Sequence, residues 1–264
     1  MARKKSKPKR PSSESVVAQV RAGGGGRSIT REKFVEGIKS LGSVLLVFFF
    51  LRIFLVEAYR IPSGSMEPTL LIGDWLFVNK LRFGPHIPFT NINLPGYAEP
   101  QRGDVVVLES PTQIDQPWDP NPILVKRCVA VGGDTVSMRD GIFQLNGVAQ
   151  RQGFASNNPV GDGTEINPLY AWQKSFEITG SRFGPPPAQP THDNWGPLVI
   201  PPAHFMMLGD SRYNSKDSRY WGLVPRANVR GRPLFVYYSW NADSDRALPF
   251  VTDIRWRRLG HWIE

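Results

Sequence analysis

At 264 residues the chain is long enough for one large domain or two modest ones. Its formal net charge is +9, but residues 1–40 hold eleven Lys/Arg against three Glu, so +8 sits in the tail and about +1 is left for residues 41–264. That placement argues against a nucleic-acid partner for the folded part, and the single cysteine, Cys128, excludes an intrachain disulfide framework.

Residues 1–33 form a basic tail. Up to residue 30 it is Lys, Arg, Ser, Pro and a Gly23–Gly26 run, which cannot bury a core and is expected to be disordered. Thr30, followed by Glu32 and Lys33, suits the start of a helix. From Leu41 to Val56 the chain reads LGSVLLVFFFLRIFLV. Sixteen helical residues span about 24 Å, and extension back to Phe34 gives about 34 Å, enough to cross a bilayer. Residues 34–58 are therefore expected to be a single membrane anchor. The positive tail places the N-terminus in the cytoplasm and the rest outside. Two other readings compete: a cleavable signal peptide ending near Val56-Glu57-Ala58, and a buried core helix, which Arg52 favours.

Directly after this run comes IPSGSMEPTL, Ile61 to Leu70. Ser63 and Ser65 flank Gly64 on a loop stiffened by Pro62 and Pro68. If the segment is extended, both hydroxyls share a face. Such a pair suits acyl transfer, and equally suits the capping of a turn.

The remainder reads as short strands. Gly73-Asp74 leads into WLFVNK, and Arg102-Gly103-Asp104 into VVVLE. Residues 81–100 carry four prolines and are expected to be a long loop. ILVKRCVAV spans Ile123–Val131 and ends at Gly132-Gly133-Asp134, after which TVSM resumes. Asn146-Gly147 between two short alternating runs is a two-residue hairpin signal. HFMMLGD and RPLFVYYSW follow. Gly, Pro and Asp punctuate these runs and no helical period appears, so the expectation is an antiparallel β domain over residues 59–264. Residues 151–203, rich in Pro, Gly, Asn and Ser, are expected to be an inserted loop-rich lobe. The apolar runs Trp75–Val78 and Ile87–Phe89 are candidates for contact with membrane lipid.

Lys126 stands in the middle of an apolar strand. Alternation puts it on one face with Leu124, Cys128 and Ala130, and Arg127 on the other. At an edge it reaches solvent and does nothing. Buried, it is a candidate general base. A free lysine is neutral about one time in 2,500 at pH 7, and desolvation raises that fraction. A neutral amine can accept a serine proton and return it to a leaving amine. Of the four histidines, His86 and His192 sit among prolines or turn residues and are expected at the surface. His204 stays a competitor on chemistry alone. No His/Cys/carboxylate spacing suggests a metal site, and no cofactor is implied.

The third block, Leu208–Pro225, reads LGDSRYNSKDSRYWGLVP. Ser215, Asp217 and Arg219 stand at tight spacing, either as a solvated loop or as a buttress to a site.

Anchor, IPSGSMEPTL, RGDVVV, VKRCVAVGGD and GDSRYNSKDSRYWG, in this order, resemble bacterial signal peptidase I. The boxes cover about 45 residues, but their order spans most of the chain. The resemblance implies a mainly β fold, an antiparallel β-sheet protease domain with an inserted lobe behind one transmembrane helix. It implies removal of signal peptides from exported preproteins after small residues at positions −3 and −1. By motif position Ser65 resembles the nucleophile and Lys126 the general base. Ser63 and the Ser65 N–H resemble the oxyanion hole, and Ser215 the group that orients the lysine. Asp217 and Arg219 resemble a supporting pair. Tyr59, Ile61, Met66, Leu70, Leu124 and Val125 resemble the walls of shallow apolar subsites. The implied location is the bacterial inner membrane, with the domain on its outer side near the export machinery. One departure lies in the last box, where Ser211-Arg212-Tyr213-Asn214 replaces the usual Asn-Arg-Asp-Asn. A soluble Ser-Lys protease of repressor type and a non-catalytic anchored β domain are the rival readings.

Overall fold

A computed structural model describes residues 31–87, 90, 92–150, 163–179 and 183–264. The expected disordered tail up to residue 30, residues 151–162 and 180–182 of the lobe, and Pro88 and Phe89 lie outside the described residues. The chain divides into two units, Met1–Phe48 and Phe49–Glu264.

The first long element is α1, Arg31–Phe54. Its stretch Lys33–Arg52 has a mean hydropathy of 1.9 and no buried share, so it is long and apolar enough to cross a membrane. Phe34, Leu41, Leu46 and Phe50 are all exposed. A helix with apolar side chains facing outward all round has no core to bury them in. The helix stops at Phe54, four residues before the expected boundary at 58. Val56–Arg60 is instead strand β1, paired antiparallel with β2, Asp74–Asn79, so the β domain begins inside the apolar run.

The second unit is built from antiparallel sheets. β3 is Val105–Glu109, β4 Ile123–Val131, β5 Thr135–Arg139, β6 Ile142–Leu145 and β7 Val148–Ala149. β8 is Trp195–Val199, β9 His204–Leu208, β10 Val224–Pro225 and β11 Val229–Ser239. The larger sheet has seven strands in the order β1-β2-β11-β3-β4-β9-β10, and the smaller has four in the order β7-β6-β5-β8. The smaller sheet interrupts the larger one between β4 and β9. The insertion therefore starts at β5, not near residue 151, and its last strand lies inside the stretch expected to be loop. Gly196 and Pro197 hid β8, since neither is a strand former. Its Trp195 and Leu198 are fully buried.

Consecutive residues of β3 face different cores. Val105 packs with Ile61, Met66, Leu70, Leu76 and Val236. Val106 packs with Phe83, Cys128, Phe205, Met207 and Trp221. A sheet covered on both faces explains why VVVLE lacks alternation. The third cluster joins the two sheets, with Ala130, Met206 and Leu208 from the large one and Val136, Met138, Trp195 and Leu198 from the small one. Leu76 and Val78 are fully buried in β2, so half of the Trp75–Val78 run serves the core rather than a lipid surface. The Asn146-Gly147 turn has φ of 52° and 84°, the left-handed pair that a two-residue hairpin requires.

Candidate active site

The serine loop is a turn rather than an extended segment. Ser63 is extended, but Gly64–Met66 makes one 3-10 turn, closed by the Glu67 N–H donating to Gly64 O at 3.1 Å. The two hydroxyls nevertheless come together, with Ser63 Oγ and Ser65 Oγ 3.5 Å apart. Ile61 and Met66 hold the loop down by burying their side chains in the cluster that also takes Leu70 and Leu76.

β4 brings the second group. Its residues pair one-to-one with β3, Lys126 opposite Val106. Lys126 is 3% exposed, and its Nζ donates to Ser65 Oγ at 2.7 Å. Among the described residues no carboxylate reaches ion-pair distance of this ammonium. Burial is the largest influence on it and lowers its pKa, while the more distant Asp217 pulls the other way. The balance brings the amine down to about 8. At pH 7 about one lysine in ten is then neutral, roughly two-hundred-fold more than for a free side chain. A hydroxyl and a largely desolvated amine at this distance can pass a proton between them.

A register shift between Cys128 and Ala130 breaks the expected alternation of β4. Cys128 stays with Leu124 in one cluster, but Ala130 turns into another. Cys128 is buried, which pushes its thiol up to about 12, so no thiolate competes beside the lysine.

The segment after β9 closes the site from behind. Ser211 N–H donates to Ser65 O at 3.2 Å. Gly209 is required here because a Cβ on it would stand 2.2 Å from Ser215 Oγ and 2.4 Å from Ser65 O. Ser215 is thereby packed beside the backbone of Ser65. Among the described residues its buried hydroxyl has no hydrogen-bond partner, and the expected bond to Lys126 is not formed.

Two buried ion pairs fix that segment. Asp217 and Arg219 are both 0% exposed and meet through two bonds of 2.8 Å, Nε to Oδ1 and Nη2 to Oδ2. Asp217 Oδ2 also accepts the Gly209 N–H at 3.0 Å, and Arg219 Nη2 donates to Arg212 O at 2.6 Å. Burial alone would raise the Asp217 pKa, but the Arg219 guanidinium outweighs it and holds the carboxyl below its ordinary range. The second pair is Arg127 with Asp210, again two bonds of 2.8 Å, with Thr69 Oγ1 donating to Asp210 at 2.6 Å. It ties the residue after Lys126 to the residue after Gly209.

The expected residues are placed as follows. Ser63, Ser65 and Lys126 are brought together, and Ser215, Asp217 and Arg219 stand behind them. Val125 is half-buried against the cluster of Ile61, Met66 and Leu70, and Leu124 against that of Cys128. Tyr59 is half-buried and its hydroxyl donates to Glu57 at 2.9 Å. His204 Nδ1 contacts Pro202 O at 2.9 Å, at the start of β9. Three participants escaped the sequence reading: Gly209, the Arg127–Asp210 pair, and His192. His192, expected at the surface, is only 12% exposed and lies against Arg219 Nη1. Arg127 beside the base and Asp210 beside a glycine were visible signals, but only the fold pairs them across 83 residues.

The family model for signal peptidase, peptidase S26, matches residues 34–240. The chain belongs to this family. Signal peptidase I from Pseudomonas fluorescens is 36% identical over 220 residues, covering 78% of this chain and 73% of the relative. The corresponding protein from Pseudomonas aeruginosa is 34% identical over 226 residues with the same coverage. That from Aquifex aeolicus is 29% identical over 238 residues, covering 79% of this chain and 84% of its own. As a member of the signal peptidase S26 family the chain is a serine peptidase.

Proposed function

We propose that this chain is a membrane-anchored endopeptidase that removes signal peptides from exported preproteins by a Ser-Lys dyad. The observation that carries the reading is the 2.7 Å contact of Lys126 Nζ with Ser65 Oγ, made by a buried amine with no ion-pair partner among the described residues. Ser65 Oγ attacks the carbonyl at the cut and its proton passes to neutral Lys126. The oxyanion takes hydrogen bonds from the Ser63 hydroxyl and the Ser65 N–H. Lys126 returns the proton to the leaving amine, which frees the mature chain and leaves an ester on Ser65. A water then gives a proton to Lys126 and attacks the ester, and as the ester bond breaks Lys126 passes that proton to Ser65 Oγ, which restores the hydroxyl and releases the signal peptide with a new carboxyl group. Ser215 steadies the lysine during this sequence, and the Asp217–Arg219 pair supports the loop that carries it.

The specificity reading rests on packing. Ile61, Met66 and Leu70 are 4%, 1% and 0% exposed, so the floor beside Ser65 is already filled. Tyr59, Leu124 and Val125 form half-buried walls. Shallow apolar ground of this kind admits small side chains at −1 and −3 and rejects large ones. The length and apolar character of α1 support a single anchor in the inner membrane, with the tail in the cytoplasm and the β domain on the outer side, near the export machinery and in contact with lipid. Retention of the chain in membranes after alkaline extraction is expected, and its release would refute the anchor.

The full chain in detergent micelles should cleave a preprotein. Ser65→Ala and Lys126→Ala should each abolish cleavage with circular dichroism unchanged, while His204→Ala cleaves normally. A Lys126→Ala protein that still cleaves would overturn the dyad.

A further inference from the structure

Beyond β11 the chain turns back along that strand. The Val236 N–H donates to His261 O at 2.9 Å and the Ile263 N–H to Leu234 O at 3.0 Å. No role assigned above uses this returning segment, Arg255–Glu264, yet it bonds to the serine loop and to the strand of Lys126.

The serine loop closes at its base, where the Ile61 N–H donates to Asp74 O at 2.8 Å and the Gly73 N–H to Ile61 O at 3.0 Å. The Asp74 side chain is 0% exposed. Its carboxylate accepts Arg258 Nη2 at 2.6 Å and Nε at 3.0 Å. The Ser239 hydroxyl and the Leu71 N–H also donate to it, at 2.6 Å and 2.9 Å. The same Arg258 Nη2 donates to Thr69 O at 2.9 Å, and Arg255 Nη1 donates to Ile72 O at 2.7 Å. Thr69 is held from its other end as well, since its hydroxyl donates to Asp210, the partner of Arg127.

The segment reaches the base strand too. Arg127 Nη1 donates to Glu264 O at 3.0 Å. Ile263 is 4% exposed and belongs to the cluster of Ile61, Met66 and Leu70, against which Val125 packs. Met66 follows Ser65 and Val125 precedes Lys126. One side chain of the segment thus shares a cluster with a chain neighbour of each member of the dyad.

We propose that Arg255–Glu264 is a clamp that sets the separation of Ser65 from Lys126, with Arg258 as its positioning residue. The inference rests on the peptidase reading above. A planar guanidinium grips the Asp74 carboxylate through two bonds and still reaches Thr69 O, a fork that the point charge of a lysine does not reproduce. Once the Thr69 bond is lost, the serine loop shifts against β4. A shift of about 1 Å at a reacting group costs on the order of a hundred-fold in rate.

The test compares the parent and Arg258→Lys, both as full chains in detergent micelles. On a preprotein substrate kcat should fall by at least about ten-fold while KM changes by less than about three-fold. Amide hydrogen exchange should quicken across residues 61–74 and stay unchanged across residues 135–145 of the smaller sheet. A parental kcat, or exchange that quickens equally in both segments, would overturn the clamp. Ile263→Ala, judged by the same two readouts, decides the matter if Arg258→Lys does not fold. A parent protein that cleaves nothing would overturn the peptidase reading, whereas the exchange comparison would still report whether the segment holds the loop.

Discussion

Ser215 fills the space that a side chain on Gly209 would need: a Cβ there would stand 2.2 Å from Ser215 Oγ. The same Cβ would lie 2.4 Å from Ser65 O, which is backbone and cannot swing away. Gly209→Ala therefore has to push the serine loop and the Ser215 loop apart. A displacement of about 1 Å at a reacting group costs on the order of a hundred-fold in rate. The variant is expected to fold with a lowered melting temperature and to lose about that much kcat/KM on a preprotein substrate.

Ser215→Ala separates two roles for the unpaired hydroxyl. A buried polar group without a partner costs about 1–3 kcal/mol, so its removal should leave the melting temperature unchanged or higher. If the hydroxyl engages Lys126 only when substrate is bound, kcat falls by at least about ten-fold in the same protein. Thermal unfolding and steady-state kinetics on one preparation check both.

The supporting ion pair should respond in the opposite sense. Arg219→Met leaves Asp217 buried and uncompensated, which costs about 3–5 kcal/mol. Urea unfolding should show a loss of that size. A change below about 1 kcal/mol would mean that the pair is dispensable.

Lys126→Met makes the cost of the buried amine visible. The folded pKa of about 8 lies below that of a free lysine, so the unfolded chain binds the extra proton more readily. The native chain is thus penalised fully below pH 8, and the penalty fades as pH rises toward the unfolded value. An inactive Lys126→Met protein should be more stable than the parent by up to about 3 kcal/mol at pH 7. The difference should shrink toward zero near pH 10. A difference that grows with pH would contradict the assigned protonation.

How much of this was legible in the sequence depended on where the pattern was local. β4 was readable to its ends because Ile123–Val131 is apolar and β-branched apart from Lys126 and Arg127, and is stopped by Gly132-Gly133. The Asn146-Gly147 hairpin was readable from two residues. β8 was not, because its burial against β5 overrides the poor strand preference of Gly196 and Pro197. β1 was hidden because its first three residues, Val56–Ala58, fall within the span expected to be the anchor. In the site, the Ser65–Lys126 contact followed from the motifs, but the reach of Arg127 to Asp210 and of His192 to Arg219 depends on the path of the chain. The Ser63 and Ser65 hydroxyls meet without the extended backbone that would put them on one face, because a 3-10 turn over Gly64–Met66 brings them together.

The central claim is that a buried, neutral Lys126 takes the proton from Ser65. Its most direct test is the pH dependence of kcat/KM on a preprotein substrate, with the full chain in detergent micelles. The rate should climb about ten-fold per pH unit below pH 7 and level off near pH 8, where the amine loses its proton. A profile that levels off near pH 6.5, with Lys126→Ala still active, would place the base on a histidine and contradict the account.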